Sequence, residues 1–173
     1  MEVKSRASFR HDENQEGTSC INLQIRPPKD RMSMNDLFDL TSRVVVITGA
    51  AGLLGRQHAD AIASGGGIPI LLDLNEEEVH KLAQKLEVRY SIAASGYAVD
   101  ITSEKAVEQC KDQILGKYGK IDGLINNAAS NPIIAKSLSK QEIGRLENFA
   151  MSHWQQDLAV GLTGSFICTK YFI

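Results

Sequence analysis

Residues 44–56 of this chain read VVVITGAAGLLGR, a β-branched run that leads directly into three glycines. A strand that is covered on both faces of a parallel sheet needs such a continuous apolar run. Gly49, Gly52 and Gly55 are spaced three apart, so the backbone can turn sharply and approach a phosphate without Cβ atoms in the way. The helix expected next would offer free N–H groups and its positive dipole end to that phosphate. The segment predicts a dinucleotide cradle, and a chance Gly-rich turn is the alternative.

A second predicted strand, 68–72, ends at Asp73. In a strand–helix–strand unit, an acidic side chain at this point reaches the ribose hydroxyls of adenosine, and its charge repels a 2′-phosphate. About 20 residues separate Asp73 from the glycines, as in the dinucleotide fingerprint. Asp73 therefore favours NAD over NADP. The alternative is that Asp73 only helps to cap the helix that begins after Asn75.

Strands and helices alternate along the chain, which predicts an α/β fold. We expect a Rossmann-type doubly wound parallel sheet of about four strands, in the order 3-2-1-4 and incomplete. The crevice between strands 1 and 4 would bring Gly49 and Asn127 together. Asn75 is expected to cap the second helix, with Glu78 three residues later in a variant of the capping box. The remaining predicted elements are a strand at 95–99, a helix from Thr102 or Ser103 to Gly116 or Gly119, and a strand at 121–126.

Five ordered motifs resemble those of the short-chain dehydrogenase/reductase family. They are Thr48–Gly55, Asp73, Val99–Ile101, Asn126–Ala129 and Trp154–Phe166. The resemblance covers residues 40–173 and implies that Asp100 contacts the adenine ring and that segment 126–129 closes the fourth strand against the cofactor. Two departures are small: Ala129 stands where the family has Gly, and Leu53 occupies a position that is often Gly. The implied cofactor-binding residues are Thr48, Gly49, Gly52, Leu53, Leu54, Gly55, Asp73, Asp100, Ile101, Asn127, Ala128 and Ala129.

The larger departures concern catalysis. The family's chemistry depends on a Tyr, a Lys four residues later, an upstream Ser and an Asn on the preceding helix. No Tyr-x-x-x-Lys occurs in these 173 residues, and Gly161 occupies the position of the Asn. No catalytic residue is therefore assigned, and the Ser, Tyr and Lys are expected beyond Ile173. We interpret the chain as an N-terminal fragment that is inactive on its own.

Two functions fit these motifs. One is an NAD-dependent oxidoreductase that acts on a small alcohol or carbonyl compound and forms a homo-oligomer at full length. The other is a non-catalytic dinucleotide-binding or assembly module. The first is favoured, because a parallel sheet cut after four strands leaves an edge that a whole domain would pair. Segment 146–149, with Trp154, also resembles the branch associated with flagellin or surface-sugar modification, which suggests a sugar or nucleotide-sugar substrate.

Composition indicates a soluble globular segment, with 43% apolar residues, 23% charged residues and a net charge of -2. No basic footprint points to nucleic acid, and no stretch approaches the roughly 20 apolar residues of a membrane span. Residues 1–33 mix charged residues with Ser and Asn and are predicted to be a disordered extension of the domain at 34–173. Segment 131–151 is predicted to be a long loop with a short helix near 141–147, either shaping a substrate site or forming a surface excursion.

Other candidate side chains are interpreted as structural. Three cysteines, odd in number and far apart, indicate reduced thiols in the cytoplasm, with Cys110 and Cys168 in the core. The four histidines have no metal-ligand spacing, so no metal site is expected, and His58 is interpreted as a packing or capping residue. Trp154 is expected to anchor packing rather than to stack on a ligand.

Overall fold

The computed structural model describes residues 38–130, 147 and 149–173. Their strands form one parallel sheet in the order β3-β2-β1-β4, which confirms the predicted α/β fold and strand order. The predicted extension at 1–33, most of the predicted loop at 131–151, Cys20 and His11 lie outside the described residues. The strands are β1 Val44–Thr48, β2 Ile68–Asp73, β3 Ser95–Ala98 and β4 Gly123–Ile125. The helices are α1 Leu53–Ser64, α2 Glu76–Tyr90, α3 Glu104–Tyr118, α4 Met151–Leu158 and α5 Ser165–Phe172, with a π-helical segment, Ala159–Gly164, between the last two.

Strand β1 lies in the middle of the sheet, and all five of its residues are buried. Successive side chains of a strand point to opposite faces, so β1 supplies both hydrophobic clusters of the core. Val44 and Val46 join the cluster that includes residues of α3 and α5, whereas Ile47 joins the cluster that includes residues of α1 and α2. Helices therefore cover both faces, which is the arrangement that a continuous apolar strand requires.

The helix caps follow local chemistry. The side chain of Asn75 accepts a hydrogen bond from the Glu78 N–H (3.2 Å), and that of Ser103 accepts one from the Ala106 N–H (3.4 Å). Helix α3 ends at Gly119, whose φ of +75° is the left-handed conformation that suits glycine. The predicted capping box at α2 is only half formed. The Glu78 carboxylate binds an arginine of α1 instead of returning to the Asn75 N–H.

Strand β4 is shorter than the predicted 121–126. It pairs with β1 only from Gly123 to Ile125, because the Asn127 and Ala128 N–H groups donate to the Thr48 side chain of β1. At its other end, Asp122 precedes the strand and accepts a hydrogen bond from the Val44 N–H (2.8 Å). No helix in the described ranges has the length and apolar character needed to cross a bilayer.

Candidate functional site

The turn between β1 and α1 is built so tightly that two of its glycines cannot be replaced without strain. Gly49 has a φ of +64°, and a Cβ on it would lie 2.8 Å from the Ala128 Cα. A Cβ on Gly55 would lie 2.3 Å from the Gly49 carbonyl oxygen and 2.7 Å from the Ala50 Cα. Gly52 is less constrained, since its Cβ would lie 3.2 Å from the same oxygen. The glycines thus let the helix start directly against the turn.

The first turn of α1 presents unpaired N–H groups to solvent. Gly52 is its N-cap, no side chain caps it, and no acidic residue lies in its first turn. The first amides of a helix have no intrahelical acceptor, and their partial positive charge attracts anions. Leu53 and Leu54 in this turn are exposed, with 83% and 63% of their surface accessible. Helix α2 differs, because Asn75 caps it and three glutamates fill its first turn.

Asp73 lies at the end of β2 and touches the Gly-rich turn. Its Oδ2 accepts a hydrogen bond from the Ala51 N–H (3.0 Å), and its Oδ1 accepts one from the Asn75 N–H (3.2 Å). The second bond supports the alternative in which Asp73 stabilises the entry to α2, although Asn75 is the residue that caps the helix. Each carboxylate oxygen can accept more than one hydrogen bond, so this local role leaves capacity for a ligand.

A shallow surface depression lies beside Asp73, and its lining is acidic. Glu76 and Glu77 follow Leu74 and Asn75 along its rim. The nearby Lys81 is paired with Glu77, and His80 lies 3.7 Å from Glu76. Leu74 is 74% exposed, so an apolar side chain also faces the solvent here.

Thr48 and Asn127 join the carboxyl ends of β1 and β4. The buried Thr48 Oγ1 accepts hydrogen bonds from the Asn127 and Ala128 N–H groups, each at 3.0 Å. The Asn127 side-chain amide donates to the carbonyl oxygens of Thr48 (2.9 Å) and Gly49 (3.1 Å). Asn127 and Gly49 therefore meet at the crevice, where the predicted topology placed them. Ala129 follows directly on this segment and is exposed.

Asp100 and Ile101 follow β3 at the same edge of the sheet. Asp100 is exposed, and its Oδ1 accepts hydrogen bonds from the Thr102 N–H (2.9 Å) and hydroxyl (2.7 Å). Ile101 is buried in the core, where its side chain leaves no room for a Cβ on Gly164. Asp100 thus remains accessible, whereas the Ile101 side chain is a packing residue.

The motif Trp154–Phe166 lies on an irregular helical stretch. This stretch starts at Met151, and the π-helical segment interrupts it around Gly161. A Cβ on Gly161 would meet nothing within 4 Å, and its carbonyl accepts a hydrogen bond from the Ser165 hydroxyl (2.8 Å). Trp154, expected to anchor packing, is 51% exposed, and Leu162 and Phe166 are each 66% exposed. Trp154, Leu162 and Phe166 therefore face solvent, whereas Ile167, Cys168 and Phe172 are buried in the core.

Sequence reasoning missed the contacts of two residues at this site, Arg56 and Asn126. Arg56 donates from Nε to the Ala51 carbonyl (2.8 Å) and from Nη2 to the Glu78 carboxylate. Neither the motif nor helical spacing pointed to this arrangement. Asn126, part of the fourth motif, instead donates to the Thr169 hydroxyl (3.2 Å) and so connects β4 to α5.

Other reactive side chains of the described residues are structural. Burial raises the pKa of the Cys110 thiol to about 12 and that of the Cys168 thiol to about 11, which agrees with inert core thiols. Within residues 38–130, 147 and 149–173, no group of three or more His, Cys, Asp or Glu side chains could hold a metal ion.

Known proteins are similar to the part of this chain that carries these motifs. A family model described as short chain dehydrogenase matches residues 43–173. An uncharacterized oxidoreductase, YxbG of Bacillus subtilis, is 31% identical over 78% of this chain and 45% of its own length. D-threitol dehydrogenase of Mycolicibacterium smegmatis is 29% identical over 79% of this chain and 48% of its own length. A crystal structure of NAD+-bound xylitol dehydrogenase superimposes with a TM-score of 0.67 at 28% identity, covering 77% of this chain and 47% of that one. The chain spans about half the length of the proteins it matches.

Proposed function

The chain belongs to the short-chain dehydrogenase/reductase family, and on that premise we propose that it is the dinucleotide-binding part of an NAD-dependent oxidoreductase. The whole protein would act on a small alcohol or carbonyl compound. The observation that carries the proposal is the contact between the Gly-rich turn and Asp73, through the Ala51 N–H. This contact supports a proposed phosphate site and a proposed ribose site that adjoin at one end of the sheet.

The residues present fit a nicotinamide dinucleotide. The tight turn at Gly49 and Gly55 leaves a backbone surface free of Cβ atoms, and the open N–H groups of Leu53 and Leu54 suit a pyrophosphate. When bound, the nicotinamide would supply the group that accepts or gives a hydride. The remaining proposed contacts come from Thr48, Gly52, Asp73, Asp100, Ile101, Asn127, Ala128 and Ala129.

The charge around Asp73 favours NAD over NADP. Asp73, Glu76 and Glu77 line the same depression, and its described lining includes no Lys or Arg. A 2′-phosphate placed there would face the like charges of this lining, while Lys81 and Arg56 nearby are paired with Glu77 and Glu78, which disfavours it. The plain ribose of NAD carries only hydroxyls, which a carboxylate can accept as hydrogen-bond donors.

Relatives narrow the substrate class. D-threitol dehydrogenase and xylitol dehydrogenase are both named for sugar alcohols. We therefore propose a polyol or sugar substrate for the whole protein, and the flagellin or surface-sugar branch remains a prediction.

We also propose that the protein self-associates and is cytoplasmic. The exposed side chains of Leu158, Leu162 and Phe166 on one side of the C-terminal helix support self-association. Buried, high-pKa thiols fit the proposed cytoplasmic location.

Replacement of Asp73 tests the cofactor assignment. We expect Asp73→Ala in the purified native protein to weaken NADH binding by about 1.5–3 kcal/mol, because a charged acceptor of the ribose hydroxyls is lost. The discrimination against NADPH should largely disappear, since the repulsive charge is also removed. Fluorescence titration with both cofactors measures the two affinities, with Asp112→Ala, an exposed carboxylate on α3, as the control. Equal weakening of both cofactors would mean that Asp73 acts only at the entry to α2.

A turnover assay separates the enzyme from the binding module. The native protein should reduce NAD with a panel of polyols, sugars and simple alcohols. Tight NADH binding without turnover on any of them would favour a non-catalytic dinucleotide-binding or assembly module.

A further inference from the structure

A closed series of hydrogen bonds surrounds Asp73, and we name it the Asp73 ring. It consists of Ala51, Arg56, Asp73, Asn75 and Glu78. Asp73 accepts from the Ala51 and Asn75 N–H groups, and the Asn75 side chain accepts from the Glu78 N–H. The Glu78 carboxylate accepts from Arg56, and Arg56 donates to the Ala51 carbonyl, which closes the series.

Arg56 is the residue that connects the two halves of the ring. It lies in the first turn of α1, but its guanidinium reaches back to Ala51 and across to Glu78 on α2. A planar guanidinium carries donors in a rigid fork, so one side chain can hold two acceptors in fixed relative positions. The pKa of the Glu78 carboxyl is lowered by its hydrogen bond to Arg56, so Glu78 is charged near neutral pH.

Ala51 transmits this arrangement to Asp73. Its carbonyl accepts from Arg56 and its N–H donates to Asp73 Oδ2, so both of its polar backbone groups are engaged. The carbonyl and the N–H of Ala51 lie in two adjacent planar peptide units, so a hydrogen bond on each unit restricts the φ and ψ angles that join them. If Arg56 released the Ala51 carbonyl, the Ala51 N–H could turn and Asp73 would lose one of its two orienting bonds.

We propose that Arg56 and Glu78 are positioning residues that fix the Asp73 carboxylate for discrimination between a ribose hydroxyl and a 2′-phosphate. The inference rests on the proposed function, because it assigns Asp73 to the ribose. Arg56 and Glu78 need not touch the cofactor, since they act through Ala51 and through the first turn of α2. Substitution of either residue should lower the preference for NADH over NADPH, and it should affect the stability of the folded protein less.

The chain offers a matched control for this pair. Arg89 on α2 and Asp60 on α1 form an ion pair of 2.8 Å between the same two helices. The side chains of both pairs are similarly accessible, at 42% and 37% for Arg56 and Glu78 and 57% and 37% for Arg89 and Asp60. Within the described part of the chain, neither Arg89 nor Asp60 makes a hydrogen bond or ion pair to the Gly-rich turn, since each is paired with the other. Arg89→Gln therefore breaks a bridge between α1 and α2 and leaves the Asp73 ring intact.

The experiment titrates the native protein with NADH and NADPH and records its melting temperature. The variants are Arg56→Gln, Glu78→Gln, the double variant and Arg89→Gln. We expect Arg56→Gln to raise the Kd for NADH about tenfold and Glu78→Gln about threefold, with much smaller changes for NADPH. The ratio of the NADPH Kd to the NADH Kd should fall accordingly. The double variant should lose little more than Arg56→Gln alone, because both substitutions break one coupled unit.

Each outcome has a distinct meaning. A lower selectivity ratio in the ring variants, with an unchanged ratio in Arg89→Gln, supports the proposal. Equal weakening of both cofactors, or the same change of ratio in Arg89→Gln, overturns it. If Arg56→Gln fails to fold, Glu78→Gln decides alone, because it keeps the arginine. Failure of the unsubstituted protein to bind either cofactor overturns the proposed function and with it the role of the ring, whereas binding with an unaltered ratio in every variant overturns only the ring.

Discussion

Gly55 and Gly161 are both helical glycines, but their surroundings are opposite. A Cβ on Gly55 would meet backbone at 2.3 Å, whereas a Cβ on Gly161 would meet nothing within 4 Å. Gly55 is required because α1 closely approaches the turn that follows β1. Glycine in the π-helical segment is required by no contact of the described residues, and the family resemblance predicts an Asn at its position. The region of the Gly-rich turn is thus determined by steric necessity, while the region of Gly161 has space for a side chain.

The largest expected effect concerns chemistry. We expect the 173-residue chain alone to catalyse no measurable hydride transfer, even if it binds NAD. Proton transfer from a positioned side chain typically contributes about 10²–10⁴-fold, and the sequence contains no Tyr-x-x-x-Lys and no Asn at Gly161. An NAD(H)-coupled assay of the purified chain over alcohols, ketones and nucleotide sugars measures this rate.

Size-exclusion chromatography supplies the control for that assay. The exposed side chains Trp154, Leu162 and Phe166 and the edge of β4 are expected to promote self-association, so only monodisperse protein should be assayed. Turnover that persists in such a sample would require a proton donor elsewhere in the chain and would contradict the contrast between the two regions.

Substitution of Gly55 should have the largest effect on the fold. Gly55→Ala places a methyl group against the Gly49 carbonyl and the Ala50 Cα, and backbone atoms cannot move aside as a flexible side chain can. We expect a loss of about 3 kcal/mol of unfolding free energy, at the upper end of overpacking effects, together with loss of NADH binding. Chemical denaturation and cofactor titration measure both quantities. Gly116→Ala on α3 is the control, because its Cβ would enter open space; equal effects of the two would show that the turn is not sterically limited.

Much of the fold follows from local chemistry that a sequence displays. The apolar run of β1, the caps Asn75 and Ser103 and the left-handed Gly119 each depend on neighbouring residues, so their positions were predictable. Their order along the chain then fixes a parallel sheet through the handedness of its crossovers. Strand ends were less accurate, since β4 ends where the Asn127 N–H turns to Thr48.

The contacts that sequence reasoning missed join distant residues. Glu78 has the spacing of a capping-box residue, and nothing local indicates that Arg56, 22 positions earlier, binds its carboxylate. Asn126 likewise pairs with Thr169, 43 positions later. The π-helical segment has no local signal either. Such features depend on which elements pack together, which the fold decides after the local preferences have acted.

Charge distinguishes the two ends of the β1–β4 pair, and pH tests this difference. At the carboxyl ends, neutral Thr48 and Asn127 join the strands. At the amino ends, Asp122 accepts from the Val44 N–H (2.8 Å), from Lys120 (2.9 Å) and from Arg43 (3.1 Å). These bonds, the Val44 N–H first, lower the pKa of Asp122 to about 2.

Asp122→Asn should lower the melting temperature near neutral pH by a few degrees. Because the folded pKa lies below the unfolded value of about 3.9, the stabilisation is fully present above that value and is lost as pH falls through about 2. The gap between the two proteins should therefore close during acidification from about pH 4 to about pH 2. Thermal melts at several pH values measure it. A gap that stays constant over that range would mean that the Asp122 charge does not stabilise the strand pair.

The smallest expected effect is a gain in stability at Gly161. Gly161→Ala should raise the unfolding free energy by about 0.5–1 kcal/mol, because glycine inside a helix has excess freedom when unfolded and no contact of the described residues needs it here. Gly161→Asn should also fold, since open space surrounds the Cβ position, but with a smaller gain because Asn is a poorer helix former. Denaturant unfolding of both variants beside Gly55→Ala measures the contrast directly. If Gly161→Ala destabilised the protein, the π-helical segment would need its glycine, and the two regions would differ less than their contacts indicate.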